Sequence, residues 1–476
     1  MKNYIAIIIF VIFFISIVSI IAIFIARGYN FTGTHLQETG ILEITSDPQD
    51  AVIFVNGEEK ASTPKKIDLI SGTYEITIQK DTFTTWKKEI FVEPQITTQI
   101  QATLFPKKRT LEQITFMDID TVFFSKNGEI GLYIVSSKQN HGIWIAKFEK
   151  NIFDLSQSQF RKIVEFKQIS KNCPKISNYS INIAHDNTRA ILSCNNEKFI
   201  HFYLIDLRQG QESLLHINNE IDFNPDNVDF GITNDHLLIY DKSFVGNFNT
   251  STKELTIVTT IEKGYEPLIT HLGEKLLVLS YNYDHSQRNL WEINTRFEKQ
   301  NITSLDTTFE ETRNISASII NSRFLALSDE DNSYLYEFDT KAQLKRIFSK
   351  KSVELKDWSP DGTAFFFKEG NKMNSAVIRT YPNGTIKVFT YTILNNFSPN
   401  NHFLKWSPDS EKILIHDKKR EKVYVLDKDG KNKTVLYKGA LSAPHAFQLS
   451  KNETFLILLL KDDQKSSNLY SIKLKV

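Results

Sequence analysis

Cysteine is nearly missing from this chain: two residues in 476, alongside three methionines, twelve prolines and eighteen glycines. Two cysteines exclude a disulfide framework. Sparse glycine and proline, with no long low-complexity tract, exclude collagen-like and disordered classes. Charge of one sign is missing too. Against 57 basic residues stand 56 acidic ones, a net +1, so no broad field directs the protein to nucleic acid. The contiguous signatures of common chemistries are also absent. There is no G-x-S-x-G, no GxxxxGK[ST], no HExxH and no CxxC, which removes the usual serine-hydrolase, P-loop, zinc-protease and dithiol readings. The length predicts about three domains.

What is present begins with an apolar run. Tyr4 to Ala26 holds no charged residue, and about 23 residues at ~1.5 Å each span a ~30 Å hydrocarbon core. A cleaved signal peptide is the alternative, but the run is long for one and no A-x-A-like site follows. Residues 1–27 are therefore expected to be a transmembrane anchor. Lys2 before it and Arg27 just after it mildly favour a cytoplasmic amino terminus and an extracytoplasmic body. Residues 28–39, polar with two glycines, read as a short linker.

From residue 40 to 105 the pattern turns to short alternating strands. Ile41–Thr45, Ala51–Val55, Ile67–Leu69, Tyr74–Ile78 and Trp86–Val92 are separated by turn residues, with Asn56-Gly57 as a hairpin signal. Pro48-Gln-Asp-Ala51, Val55-Asn-Gly57, Thr63-Pro64 and Ser71-Gly-Thr-Tyr74 make this segment resemble the PEGA domain. The resemblance implies a small immunoglobulin-like β-sandwich of surface and envelope proteins, with an adhesive or spacer role and no defined catalysis. Asp50 stands where that family has glycine, and Asp is among the few other residues that enter positive φ. Asp81-Thr-Phe83 departs from the usual Gly-Tyr turn.

The remainder, 106–476, is organised by Trp358-Ser359-Pro360-Asp361-Gly362 and its repeat, Trp406-Ser407-Pro408-Asp409-Ser410, 48 residues on (407 − 359). Pro presets a turn, Asp caps it and Gly permits positive φ. An apolar run follows each: Ala364–Phe367 and Lys412–His416. Searching for turn-then-apolar-run finds further corners near 125, 185, 233, 271, 321 and 450, a mean spacing of about 46, within the ~40–50 residues of a propeller blade. Third strands follow, such as Ile143–Ala146, Phe202–Ile205 and Val423–Leu426. The expected fold is all-β: a C-terminal β-propeller of eight four-stranded blades, or seven, because the corners near 233 and 321 are weak. Leu111–Thr115 is expected to complete the last blade and close the ring. The Ser-Pro-Asp-Gly signature resembles the WD-repeat-like propeller repeats of TolB-type and prolyl-oligopeptidase-type proteins, two copies closely and six by spacing. Of the peptidase type, the chain lacks the hydrolase half.

Candidate chemistry is thin. Asp361 and Asp409, as metal ligands or acids, compete with their reading as turn caps, which recurrence at one corner favours. Asp329-Glu-Asp-Asn332 lacks the glycine and distal glutamate of a calcium loop, and Asp427-Lys-Asp-Gly430 reads as a type I′-style turn. The eleven histidines show no ligand spacing, His185 included. Trp144, Trp291, Trp358 and Trp406 sit within strands, which favours core packing over sugar stacking. Cys173 and Cys194 can form a disulfide in an extracytoplasmic body, worth roughly 3 kcal/mol. Two buried free thiols are the preferred reading, because Cys194 lies mid-strand. No catalytic residue, cofactor or metal is expected. The function expected is that of a membrane-anchored, non-catalytic binding or scaffolding protein of the envelope, with a protein or cell-wall glycan as partner and no nucleic acid. The alternative is a propeller enzyme acting on envelope glycans with carboxylates from several blades.

Overall fold

The computed structural model describes residues 10–20, 29–32, 35–137, 139–148, 160–175, 178–196, 198–208, 214–231, 233, 235–261, 265–272, 275–282, 288–293, 299–301, 316–320, 324–328, 332–338, 344–351, 353–381, 384–462 and 465–475. Over 29–37 and most of 265–346 the description is of the backbone alone. The chain divides into two compact units, residues 1–110 with 473–476, and residues 111–472.

Residues 10–20 are helical and exposed. Among the described residues no helix is long and apolar enough to cross a membrane. The remainder of the Tyr4–Ala26 run lies outside the described residues.

The first unit carries a two-sheet sandwich. In one sheet His35–Asp47 lies between Lys65–Ile70, antiparallel, and Thr97–Thr103, parallel. In the other the order is Glu58–Ser62, Val52–Val55, Gly72–Gln79, Trp86–Val92. Alternate residues point inward, so Leu42, Ile44, Ile53, Val55, Ile76 and Ile78 form one core while their neighbours face out. Asp50, at φ 60°, adopts the left-handed conformation expected at the family's glycine position, and Asn56 and Gly57 turn the hairpin at φ 51° and 84°. Thr82 also takes a positive φ, 69°, in the departing Asp81-Thr-Phe83 turn. Residues 28–39 are not simply a linker: Tyr29–Thr32 pairs with His35–Glu38, an extension of the first sandwich strand. Tyr29, Phe31 and Thr32 have strand propensity that outweighs the polar composition around them.

Among the described residues the second unit shows eight four-stranded antiparallel sheets, consistent with propeller blades. Their first strands are Ile119–Phe124, Tyr179–Ile183, Asn227–Phe230, Tyr265–Leu272, Ser316–Ile320, Val353–Trp358, His402–Trp406 and Phe447–Leu449. The eighth sheet takes its outer strand from the other end of the unit: Leu111–Gln113 pairs with Tyr470–Ile472, the closure expected from sequence. Second strands such as Ile130–Val135 and Lys412–Asp417 are buried at every position. Their apolar centres, Leu132–Val135 and Ile413–Ile415, follow because both faces of these sheets are covered, and the polar Lys412, His416 and Asp417 are buried at the ends of the latter strand. Separate cores fill the spaces between the eighth and first sheets, the first and second, and the sixth and seventh.

Candidate functional site

The corners between first and second strands of the first, second, sixth, seventh and eighth sheets share one local geometry. In the sixth sheet Ser359 N donates to Ala364 O (2.9 Å) and Gly362 N to Ser359 O (2.9 Å). In the seventh, Ser407 N donates to Lys412 O (2.9 Å) and Ser410 N to Ser407 O (3.0 Å). The same pair of bonds recurs from Ser125, Ala184 and Ser450. The fourth residue of each corner takes a positive φ: 67° at Gly128, 57° at Asn187, 69° at Gly362, 64° at Ser410 and 56° at Glu453. The corners at Ser125, Ala184 and Ser450, without a Ser-Pro-Asp-Gly match, therefore adopt the same turn.

Asp361 and Asp409 are held inside these turns. Ser359 Oγ donates to Asp361 Oδ1 at 2.7 Å, with Thr363 N at 3.0 Å on the same oxygen and Thr363 Oγ1 at 2.8 Å on the other. Burial works to raise the Asp361 pKa, but these donors outweigh it and hold the carboxyl below the ordinary range. Asp409 accepts from Ser407 Oγ (2.5 Å) and Glu411 N (2.9 Å). Burial opposes most strongly, but the Lys412 ammonium together with hydrogen bonds from Glu453 and Ser407 outweighs it and pulls the carboxyl well down. Pro360 and Pro408 sit in the turns ahead of these aspartates.

The corners are also tied to one another. Asp361 N donates to Ser410 Oγ (3.0 Å), linking sixth to seventh. Lys412 Nζ, almost fully buried, bridges Asp409 Oδ2 and Glu453 Oε2, both at 2.7 Å, linking seventh to eighth. Burial pushes Glu453 up to about 7, against the pull of Lys412. Lys451 N donates to Gly128 O (3.1 Å) and its ammonium pairs with Glu129, which also accepts from Asn187. A polar girdle thus runs through the corners of the sixth, seventh, eighth, first and second sheets.

One charged cluster lies next to this girdle, formed by two first-strand residues, Asp357 and Lys405, with Lys126 of the first sheet's corner beside them. Lys405, on the first strand of the seventh sheet, donates from Nζ to the carbonyls of His445 and Phe447, each at 2.9 Å. Its ammonium lies 5.1 Å above the rings of both Phe124 and Phe447. Burial pushes its pKa down to about 7, with Asp357 pulling the other way. Asp357, on the first strand of the sixth sheet, is an exposed residue, yet its carboxyl pKa is raised by desolvation, with Lys126 and Lys405 pulling the other way. Sequence reasoning passed over all three. The one available signal was a charged residue immediately before each tryptophan, Asp357-Trp358 and Lys405-Trp406.

The other candidates are placed as follows. Trp406 is buried and stacks on Phe366 (4.2 Å between ring centroids), and Trp358 packs on Phe365 (4.7 Å). Trp144 packs near Tyr133 (6.3 Å), while the Trp291 side chain lies outside the described residues. His185 is exposed at its corner. Asp427–Gly430 has positive φ only at Gly430 (80°), so it is not type I′: its central Lys428 and Asp429 keep negative φ, and the glycine follows them. Residues 329–331 lie outside the described set. Cys173 and Cys194 meet, each 1% exposed, with Cα atoms 5.8 Å apart and the thiols paired rather than separately buried. Tyr179 Oη holds the Cys173 carbonyl at 2.6 Å, which brings the loop thiol over the strand. Among the described residues no three His, Cys, Asp or Glu side chains gather as metal ligands.

These features define a class: an all-β protein in which a sandwich precedes a succession of propeller-like sheets. More particularly, residues 39–108 match the PEGA domain. Solved structures similar to the chain include the WD40 domain of SCAP from fission yeast (9% identity, 77% of this chain and 94% of that one, TM-score 0.47). Porphyromonas gingivalis dipeptidyl peptidase 4 is another (11%, 74% and 58%, 0.47), as is oligogalacturonate lyase from Vibrio parahaemolyticus (10%, 75% and 98%, 0.39). Among curated proteins none matches the sequence.

Proposed function

We propose that this chain is a single-pass, membrane-anchored envelope protein. Its eight-bladed propeller, outside the cytoplasm, binds a protein or cell-wall glycan without catalysing a reaction on it. The observation that carries this reading is the PEGA domain over 39–108, set directly after the Tyr4–Ala26 apolar run. The meeting of Cys173 and Cys194 supports it, since a buried pair at this separation forms a disulfide in an oxidising compartment. In a propeller the first strands surround a central channel. Asp357, Lys405 and Lys126 then belong to one mouth of that channel, where the partner binds. The corner aspartates are committed to their own turns, and Lys405 is committed to two carbonyls and two rings. That argues for recognition over chemistry.

The second reading, a glycan-processing enzyme, draws on the raised Asp357 beside a lysine near neutrality, since opposite perturbations mark acid–base pairs. Protease protection on intact cells, with a tag at the carboxyl terminus, tests the topology. Cleavage from outside agrees with the envelope reading, and full protection lost on lysis overturns it. Incubating the purified protein with cell-wall glycan then separates the two activities. Retention without new reducing ends is expected for binding. Product formation abolished in Asp357→Asn establishes the enzyme.

A further inference from the structure

Positive charge also converges in the first unit. A pocket of about 250 Å³ there is lined by Pro106, Lys108, Arg109, Thr110, Lys473 and Lys475. Four of these six residues are cationic and none is acidic. The walls are fixed. Pro106 forms a β-bridge with Phe83, and the adjacent Lys107 N donates to Thr82 O at 2.8 Å. On the other wall Leu474 is fully buried, between exposed Lys473 and half-buried Lys475. Lys475 contacts Asp47 at 3.0 Å. Lys108 and Lys473 are exposed, and Arg109 is partly buried, burial holding its guanidinium below the usual value. A partly desolvated guanidinium flanked by three ammonium groups is electrostatically suited to a multiply charged anion.

We propose that this pocket binds a phosphate group, taken up by Arg109 with Lys108 and Lys473 closing over it. Two sources share that chemistry, a free phosphate compound and the headgroup of an anionic phospholipid. The proposal is independent of what the propeller binds.

The test is calorimetric titration of the full-length protein in neutral detergent. The probes are pyrophosphate, soluble dihexanoyl-phosphatidylglycerol, and dihexanoyl-phosphatidylcholine as the zwitterionic control. Saturable binding is expected for at least one anionic probe. It should weaken tenfold or more in Lys108→Ala/Lys473→Ala, whose side chains are exposed and whose melting temperature should match the parent's. Lys66→Ala/Lys87→Ala removes the same charge elsewhere on the sandwich, from lysines paired with Glu43 and Glu75, and should bind as the parent does. Pyrophosphate binding alone identifies a free phosphate compound, and lipid binding alone identifies a headgroup. Absence of saturable binding to both anions overturns the proposal, and so does equal weakening in the two double variants.

Discussion

The sandwich and the larger unit solve burial in different ways. Sandwich strands expose one face: Lys65–Ile70 and Trp86–Val92 alternate, and a single core collects their inward side chains. In the larger unit, Ile130–Val135 and Phe455–Leu460 are buried on both faces, and the apolar contacts are divided among successive sheet-to-sheet spaces. A sandwich sheet needs one partner, whereas a blade needs two. The larger unit must therefore hold its neighbours in order, and the corner girdle does this with hydrogen bonds and ion pairs.

The largest expected effect comes from opening one inter-sheet core. Phe366→Ala removes a ring that is 2% exposed and stacked on Trp406, a loss of about 3–5 kcal/mol. Scanning calorimetry should show the larger unit's transition lowered and the sandwich transition unmoved. If both fall together, the two units unfold as one and the contrast fails.

Next comes the girdle. Lys412→Met strands Glu453 and Asp409 and is expected to cost about 3–5 kcal/mol in chemical denaturation. The exposed Lys451→Met should cost no more than about 1 kcal/mol. Equal losses at the two lysines would show that burial does not set their worth.

Glycines sharpen the comparison further. A Cβ on Gly128 would lie 2.2 Å from Leu449 O, at φ 67°, whereas one on Gly57, at φ 84°, meets nothing within 4 Å. Gly128→Ala should therefore cost about 1–3 kcal/mol, and Gly57→Ala only about 1 kcal/mol from its backbone conformation.

The smallest effect concerns the corner aspartate. Asp361→Ala should lose about 1 kcal/mol at pH 7. A carboxyl with a depressed folded pKa stabilises fully above its ordinary value of 3.8 and loses that contribution as pH falls through the folded pKa. Parent and variant should accordingly converge as acid is added below pH 3.8, read from melting temperatures across the series.

Much of the fold was legible because its signals are local. The Asn56-Gly57 hairpin, the positive φ at Asp50 and the Ser-Pro-Asp-Gly turns depend on residues within a few positions of each other. So do the two-sided apolar second strands, and even the closing Leu111–Gln113 strand announced itself as one strand too many beside a sheet one strand short. The strand at Thr97–Thr103 escaped notice, because its parallel pairing with His35–Asp47 depends on a contact across more than fifty residues. The candidate site was less legible still. Lys405 acquires its character from Phe124, His445 and Phe447, and Asp357 from a desolvation that Lys126 and Lys405 only partly offset, none of them sequence neighbours of the group they act on.

By itself, then, the sequence determined the strand periodicity, the repeat length and the corner chemistry, since turn propensity and alternation act at short range. Only the tertiary structure decided which charges are buried and which are paired. Lys412 and Lys451 are both lysines close to a corner. One became the buried centre of an ion triad and the other an exposed clasp, because desolvation depends on what the next sheet places against each side chain.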